Sequence, residues 1–250
     1  MKISVITVSY NNAATIEDTI MSVASQSYQD IEHIIVDGGS TDGTLKVIGC
    51  HKNKISKFIS ESDEGIYDAM NKGIKLSQGD IIGFLNADDI YADNIVMGKV
   101  ASVFDDPAVD ACYADLVYVS KDDLNKVVRY WKSMEYRENL FRKGWMPAHP
   151  TFFVRKAVYD KYGNFDLSFK FQSDFDLTMR FLDVHKIKSI YIPEIFVKMR
   201  MGGATNKSML NIIKGNIEAY RACLKNGINV SPFFMVRKIL SRIPQFFQTA

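Results

Sequence analysis

The first hundred residues alternate between short apolar runs and stretches whose apolar residues recur at helical spacing. Ile3 to Val8, Ile31 to Val36, Lys57 to Ser60 and Ile81 to Leu85 read as strands, the last apolar enough for burial on both faces. Thr15 to Ser25 sets Ile16, Ile20 and Val23 on one side of a helix, and Ile66 to Leu76 does the same with Ile66, Met70 and Ile74. Another helix runs through Ile48, and one starts near Asp93 with Ile95, Val96, Val100 and Val103 facing inward. Asn11 or Asn12 is the expected cap of the first helix, Ser40 or Thr41 of the second. Strand and helix in alternation predict an α/β chain with an open, mostly parallel sheet carrying helices on both faces.

After Val109 the rhythm shortens. Val109 to Tyr113, Leu116 to Val119 and Val127 to Trp131 read as short strands in antiparallel or mixed pairing. The loop Trp145-Met146-Pro147-Ala148-His149-Pro150 leads into a strand from Thr151 to Val154. A helix from Lys156, a turn at Gly163 and Phe165-Asp166, and a helix holding Ser173 to Leu177 follow. Ser189 to Ile192 and Ile195 to Met199 complete the strands, and Lys207 to Leu224 and Phe233 to Phe247 form a helical tail. This divides the chain into a domain over 1–203, with halves 1–108 and 109–203, and a tail over 204–250. No internal repeat or low-complexity linker interrupts it.

The candidate chemistry collects where the strands stop. The strand from Ile81 runs out into Asn86-Ala87-Asp88-Asp89, the second ends at Asp37, and Asp63 lies just beyond the third. Carboxyl ends of parallel strands are where open α/β sheets bind ligands. Two adjacent carboxylates repel unless a cation sits beside them, and Mg²⁺ or Mn²⁺ suits carboxylate, water and phosphate ligands. An acidic turn ahead of a helix accounts for any one of these sites, but not so easily for three strand ends together. The turn Asp37-Gly38-Gly39-Ser40 is not the dinucleotide fingerprint, which would follow the first strand and place Gly at position 40.

Composition adds two constraints. The 250 residues, 47% hydrophobic and 24% charged, describe an ordinary globular chain of one large domain or one and a half. The net charge of +2 conceals a split: from Arg200 onward eight basic residues stand against Glu218 alone, a charge of +7, leaving −5 on the first 199. A basic tail with aromatics (Phe233, Phe234, Phe246 and Phe247 beside Arg237, Lys238 and Arg242) suggests an anionic membrane surface as partner, the alternative being a helix packed back on the domain or on a second subunit, with Pro244 kinking or ending the helix. Three scattered cysteines, an amino terminus that reads as a strand, and the lack of a long apolar run point to a cytoplasmic chain, at most peripheral on the inner face of the membrane.

Five motifs in order resemble family 2 glycosyltransferases: Thr7-Val8-Ser9-Tyr10-Asn11, Asp37 to Thr44, Asp63-Glu64-Gly65-Ile66-Tyr67-Asp68-Ala69-Met70-Asn71-Lys72-Gly73, Asn86 to Asp89, and Ser173 to Leu177. The resemblance spans about Lys2 to Gly203 and implies a GT-A fold. It also implies inverting, metal-dependent hexosyl transfer from a nucleotide-diphosphate sugar, chiefly a UDP-sugar, in bacterial polysaccharide biosynthesis. By position it puts Thr7, Ser9, Asn11, Asp37, Asp63, Asn71, Lys72, Asn86, Ala87 and Asp88 at the nucleotide-sugar, Asp89 at Mn²⁺ or Mg²⁺, and Asp174 as the base. Ser173 stands where many relatives carry an acid, and the Gln-x-x-Arg-Trp signature of polymerising members is absent, so single-sugar transfer is expected.

The chemistry agrees with this. A departing diphosphate needs its charge neutralised, and an acceptor hydroxyl needs a carboxylate on the opposite side of the sugar. Trp145 and His149 are candidates for holding a saccharide acceptor, one carried on a lipid, and Met199 to Gly203 for a flap over the diphosphate. No feature points to nucleic acid. A sugar-nucleotide-forming nucleotidyltransferase would carry a Gly-rich basic loop where Ser-Tyr-Asn-Asn stands, and an inactive partner of a membrane assembly would have lost one of Asp37, Asp89 and Asp174.

Overall fold

The computed structural model describes residues 1–202, 209–231 and 233–240. Its first half matches the alternation: β1 (Ile3–Ser9), α1 (Ile16–Ala24), β2 (Ile31–Asp37), α2 (Thr44–Cys50), β3 (Lys57–Ser60), α3 (Ile66–Leu76) and β4 (Ile81–Phe84). β3, β2, β1 and β4 lie side by side, all parallel. β1, β2 and β4 are mainly aliphatic because both faces are covered, and among their residues only Ile31 is not buried.

A two-residue strand β5 (Ile90–Tyr91) and helix α4 (Val96–Val103) follow, then β6 (Ala111–Val119), β7 (Val127–Trp131), β8 (Phe153–Arg155), α5 (Lys156–Tyr162), α6 (Ser173–Met179), β9 (Ser189–Arg200), α7 (Met209–Lys225) and α8 (Phe234–Leu240). The sheet continues from β4 through antiparallel β8 and β6 to β9, which pairs parallel with β6 and antiparallel with β5; β7 hangs on β6. One sheet therefore runs through both halves, and β9 carries the chain back to the residues just after β4.

Close packing fixes where β4 can sit. A Cβ on Gly83 would come 2.2 Å from the Phe153 ring, so glycine is what lets β4 and β8 pack with that ring between them.

Several expectations need correction. Neither Asn11 nor Asn12 caps α1, whose preceding residue Thr15 makes no side-chain cap bond, and α2 starts after Gly43 at φ +106 rather than at Ser40 or Thr41. Those side chains are busy elsewhere: Asn12 Oδ1 accepts from Tyr10 N within its own loop, and Asn11 Oδ1 accepts from Thr41 N across to the loop after β2. Ile66 and Ile95, expected inward, are exposed because each sits at its helix entrance. The paired short strands expected on either side of Ala114 and of Pro193 are the single strands β6 and β9, each with a register shift at the break. Met199 and Arg200 belong to β9 and are not part of a flap; Gly203 lies outside the described residues.

The described end of the tail follows the alternative of packing back on the domain. α8 turns Phe234 and Lys238 inward, Lys238 Nζ reaching Gln172 Oε1 at 2.5 Å and lying 4.3 Å above the Phe175 ring, while Phe233 and Ile239 face out. The described part of that helix is packed on the domain by a residue expected on its polar side. Lys207, Arg242, Pro244, Phe246 and Phe247 lie outside the described residues. Among the described residues no helix is long and apolar enough to cross a membrane.

Candidate functional site

Parallel register brings the strand ends to one edge. Ser9 lies beside Asp37 and Asp37 beside Ser60. The chain beyond β4 keeps following β1, since Leu85 N donates to Ile6 O at 3.0 Å and Ala87 N to Val8 O at 3.3 Å. It turns only where Asp89 N donates to Asn86 O. Asn86 to Asp89 thus end up next to the loop that follows β1.

Asp37 organises its own turn. Its Oδ2 accepts Gly39 N, Ser40 N and Ser60 Oγ, its Oδ1 accepts Ser40 Oγ, and Ser40 Oγ in turn accepts Asn11 N at 2.8 Å. Asp63 lies against Gly38: a Cβ there would come 2.4 Å from Asp63 Oδ2, so a larger residue would have to displace that carboxylate. Asp63 Oδ1 accepts Gly65 N, starting α3. Ser9 Oγ is buried without a partner among the described residues. Thr7 is fully enclosed, with its hydroxyl 3.0 Å from His33 Nε2, which places it beneath the edge rather than on it.

His33 carries no sequence signal of its own, yet it lies under this edge. Burial lowers its imidazole to about 4, so it is neutral at pH 7. An unfolded histidine near 6.5 takes up a proton first, so stability is full above that value and is lost as pH falls toward the folded value. Across that window the group alone is expected to cost about 3 kcal/mol. Urea unfolding at pH 7 and pH 4.5 checks this, because His33→Leu should lose part of the pH slope that the parent shows; equal slopes would refute it.

A second group forms around the end of β4. Asp89 is wholly buried, and burial together with the neighbouring Asp88 charge pushes its carboxyl well above the usual range. Asn86 Nδ2 donates to Asp89 Oδ2 and Arg200 N to Asp89 Oδ1, each at 3.3 Å. Arg200 spans the group from β9, its guanidinium donating to Asp88 O at 3.0 Å and to Asp18 Oδ2 at 2.5 Å. Among the described residues no three His, Cys, Asp or Glu side chains form a metal cage. Asp88, Asp89 and the buried, unpartnered Asn86 Oδ1 fit a smaller role, as the protein side of a Mg²⁺ or Mn²⁺ site completed by diphosphate and water. Ala87 is buried, and its carbonyl holds Thr15 Oγ1.

The third group centres on Asp174 in the first turn of α6. Tyr67 Oη, from α3, donates to Asp174 Oδ1 at 3.0 Å, and Phe175 N donates to the same oxygen at 2.8 Å. Burial and the Asp174 charge raise the Tyr67 phenol well above its usual value, so it remains a donor. Tyr67 stacks on Phe165 with centroids 5.4 Å apart, and Phe165 meets both Phe84 and His149. The aromatic contacts therefore connect Asp174 back to β4. His149 is enclosed, with Nε2 unpartnered among the described residues; burial lowers its imidazole and Asp174 partly offsets that. Trp145 Nε1 is also buried without a partner there, in a ring cluster with Tyr113, Tyr136 and Phe141.

Two residues read from sequence are committed to the protein itself. Asn71 clamps the Phe165 backbone, donating to its carbonyl at 2.9 Å and accepting its N–H at 3.0 Å. Lys72 bonds Ser62 O and pairs with Glu61 and Asp68. Asp176 pairs with Arg180 and accepts from Asn226 at 2.7 Å, a supporting role. Arg200 and Tyr67 were visible within motif stretches but had no signal separating them from their neighbours.

The model for glycosyl transferase family 2 matches residues 4–163. A PGL/p-HBAD biosynthesis glycosyltransferase of Mycobacterium bovis BCG is 28% identical over 181 residues, 71% of this chain and 68% of that protein. An uncharacterized glycosyltransferase of Rickettsia typhi is 29% identical over 229 residues, 88% of this chain and 69% of that one. Among solved structures, Staphylococcus aureus TarS 1–349 with UDP-GlcNAc superposes with a TM-score of 0.70 at 18% identity, covering 95% of this chain and 69% of that one. The mannosyltransferase PcManGT of Pyrobaculum calidifontis, with GDP-Man and Mn²⁺, gives 0.66 at 18%, covering 98% and 73%. This chain spans 44% of a longer TarS structure. The architecture is the GT-A fold, and with the family model covering well over half its length, the chain belongs to glycosyl transferase family 2.

Proposed function

We propose that this glycosyltransferase is inverting and metal-dependent, moving one sugar from a UDP-sugar to a hydroxyl of a lipid-linked saccharide in polysaccharide biosynthesis. The observation that carries this is the separation of its acids into two groups reached from one strand: Asp88 and Asp89 just past β4, and Asp174 linked to β4 through Tyr67 and Phe165. Inverting transfer needs charge neutralised at the leaving diphosphate and a base on the opposite side of the sugar. The UDP-GlcNAc complex of TarS favours a uridine donor, and the Mn²⁺ complex of PcManGT favours a divalent ion.

Asp88, Asp89 and Asn86 would hold Mn²⁺ or Mg²⁺, whose chemistry is to neutralise charge on the leaving diphosphate. Ser9 and Asn11, with Asp37 and Asp63 opposite, receive the nucleoside; Asp37 Oδ1, which accepts from Ser40 Oγ, retains a lone pair for the base. His149 and Trp145 receive acceptor hydroxyls on their unpartnered nitrogens. Asp174 takes the proton of the attacking hydroxyl. As that oxygen bonds to the anomeric carbon, the bond from that carbon to the diphosphate breaks on the other face, and the configuration inverts.

Thermal unfolding against UDP-, GDP- and dTDP-sugars with Mn²⁺ tests the reading. A UDP-sugar at a hundred times its dissociation constant is expected to stabilise the chain by about 2.7 kcal/mol. A shift with GDP-sugars alone would overturn the donor assignment, and no shift with any would overturn the transfer reading.

A further inference from the structure

α7 docks with a face of small residues. Gly215, Asn216, Ala219, Ala222 and Cys223 are buried, and its one acid, Glu218, is spent on the domain, accepting Lys170 N, Phe171 N and Gln172 N. Four large apolar residues face away from the core: Leu210 is 67% exposed, Ile213 52%, Ile217 40% and Leu224 50%. At about 100° per residue these four fall within an arc of roughly 60°. Arg221, Lys214 and Lys225 occupy the adjoining arc of roughly 40°. All three are exposed; Lys225 pairs with Asp166, and no described acid pairs with Lys214 or Arg221. A helix normally buries such an apolar stripe, and here it is turned outward with cations along one side.

We propose that the outward face of α7 lies on an anionic lipid surface, the four apolar side chains entering the headgroup boundary and Lys214 and Arg221 meeting lipid phosphates. The charge pattern selects this occupant. A second copy laid stripe to stripe would bring the cation rows together in an antiparallel pair, and in a parallel pair would leave each row opposite a helix flank without an acid. An anionic interface satisfies both arcs at once. The contact is made by α7, so it does not require α8, whose Lys238 is turned into the protein.

The test is flotation of the full chain with vesicles of phosphatidylcholine alone and with a third phosphatidylglycerol. Binding is expected to the anionic vesicles, falling with added salt. Lys214→Glu with Arg221→Glu should weaken it by at least about tenfold. Ile213→Ser with Ile217→Ser should weaken it too, at an unchanged thermal midpoint, because both side chains are exposed. Equal binding to neutral and anionic vesicles, or none to either, overturns the proposal. So does a serine variant that leaves flotation intact while lowering the thermal midpoint, since the stripe is then covered by the chain itself, or one that converts a dimer to a monomer on gel filtration, since a second copy then covers it.

Discussion

Asp174→Asn is expected to lower turnover about 10²–10⁴-fold while leaving nucleotide-sugar binding nearly unchanged. The substitution keeps the shape of the side chain and removes the proton acceptor. It also keeps the local structure: Asn Oδ1 can still accept from Tyr67 Oη and from Phe175 N, the two bonds that hold the carboxylate now. The donor-side acids belong to other elements, so the loss should appear in turnover and not in the donor's dissociation constant. Two neighbours calibrate the result. Tyr67→Phe removes one hydrogen bond to Asp174 without removing the acceptor, so it should cost less turnover. Asp176→Asn breaks the pair with Arg180 at the buried foot of α6, so it should harm stability more than rate. Near-parental transfer by Asp174→Asn to a verified acceptor would place the base elsewhere.

The parts of this protein that were legible in the sequence are those that depend on near neighbours. The alternation of strand and helix in the first half, and α3 from Ile66 to Leu76, follow from local apolar spacing, so pattern alone recovers them. The strand ends at Asp37 and Asp88-Asp89 stand out because acids there break an apolar run. What stayed hidden depends on distant partners. Asp115 makes β6 look interrupted, yet the strand passes through it because Tyr130, Tyr191 and Ser133 N, 15 to 76 residues away, donate to its buried carboxylate. Asn71 looks like a ligand contact by motif, while its bidentate clamp is 94 residues distant. The inward turn of Lys238 depends on Gln172 and Phe175, and helical spacing within the tail holds no trace of them. Arg200 reaches Asp88 and Asp18 only because β9 returns beside β5, a long-range pairing that no window of sequence contains.

Asp89→Asn is expected to abolish the metal-dependent part of donor binding and leave the unliganded fold intact. With Mn²⁺ and a UDP-sugar at a hundred times its dissociation constant, the parent should gain about 2.7 kcal/mol, and the variant should lose most of that gain. The unliganded comparison separates this from simple damage. The folded Asp89 carboxyl is raised by burial and by Asp88, so the folded state holds its proton more tightly than the unfolded chain does. The sign is therefore destabilising: the parent loses stability as pH rises above the unfolded value near 4, because the group must then either keep a proton or hold a buried charge. Asparagine is neutral throughout, so the unliganded variant should be at least as stable as the parent at pH 7 and less sensitive to pH above 4. A variant that unfolds earlier at pH 7 would mean that the bonds from Arg200 N and Asn86 Nδ2 outweigh the buried charge. Equal UDP-sugar binding by the parent in Mn²⁺ and in chelator would remove the cation from Asp89 altogether, leaving Arg200 as the positive group that the two neighbouring carboxylates require.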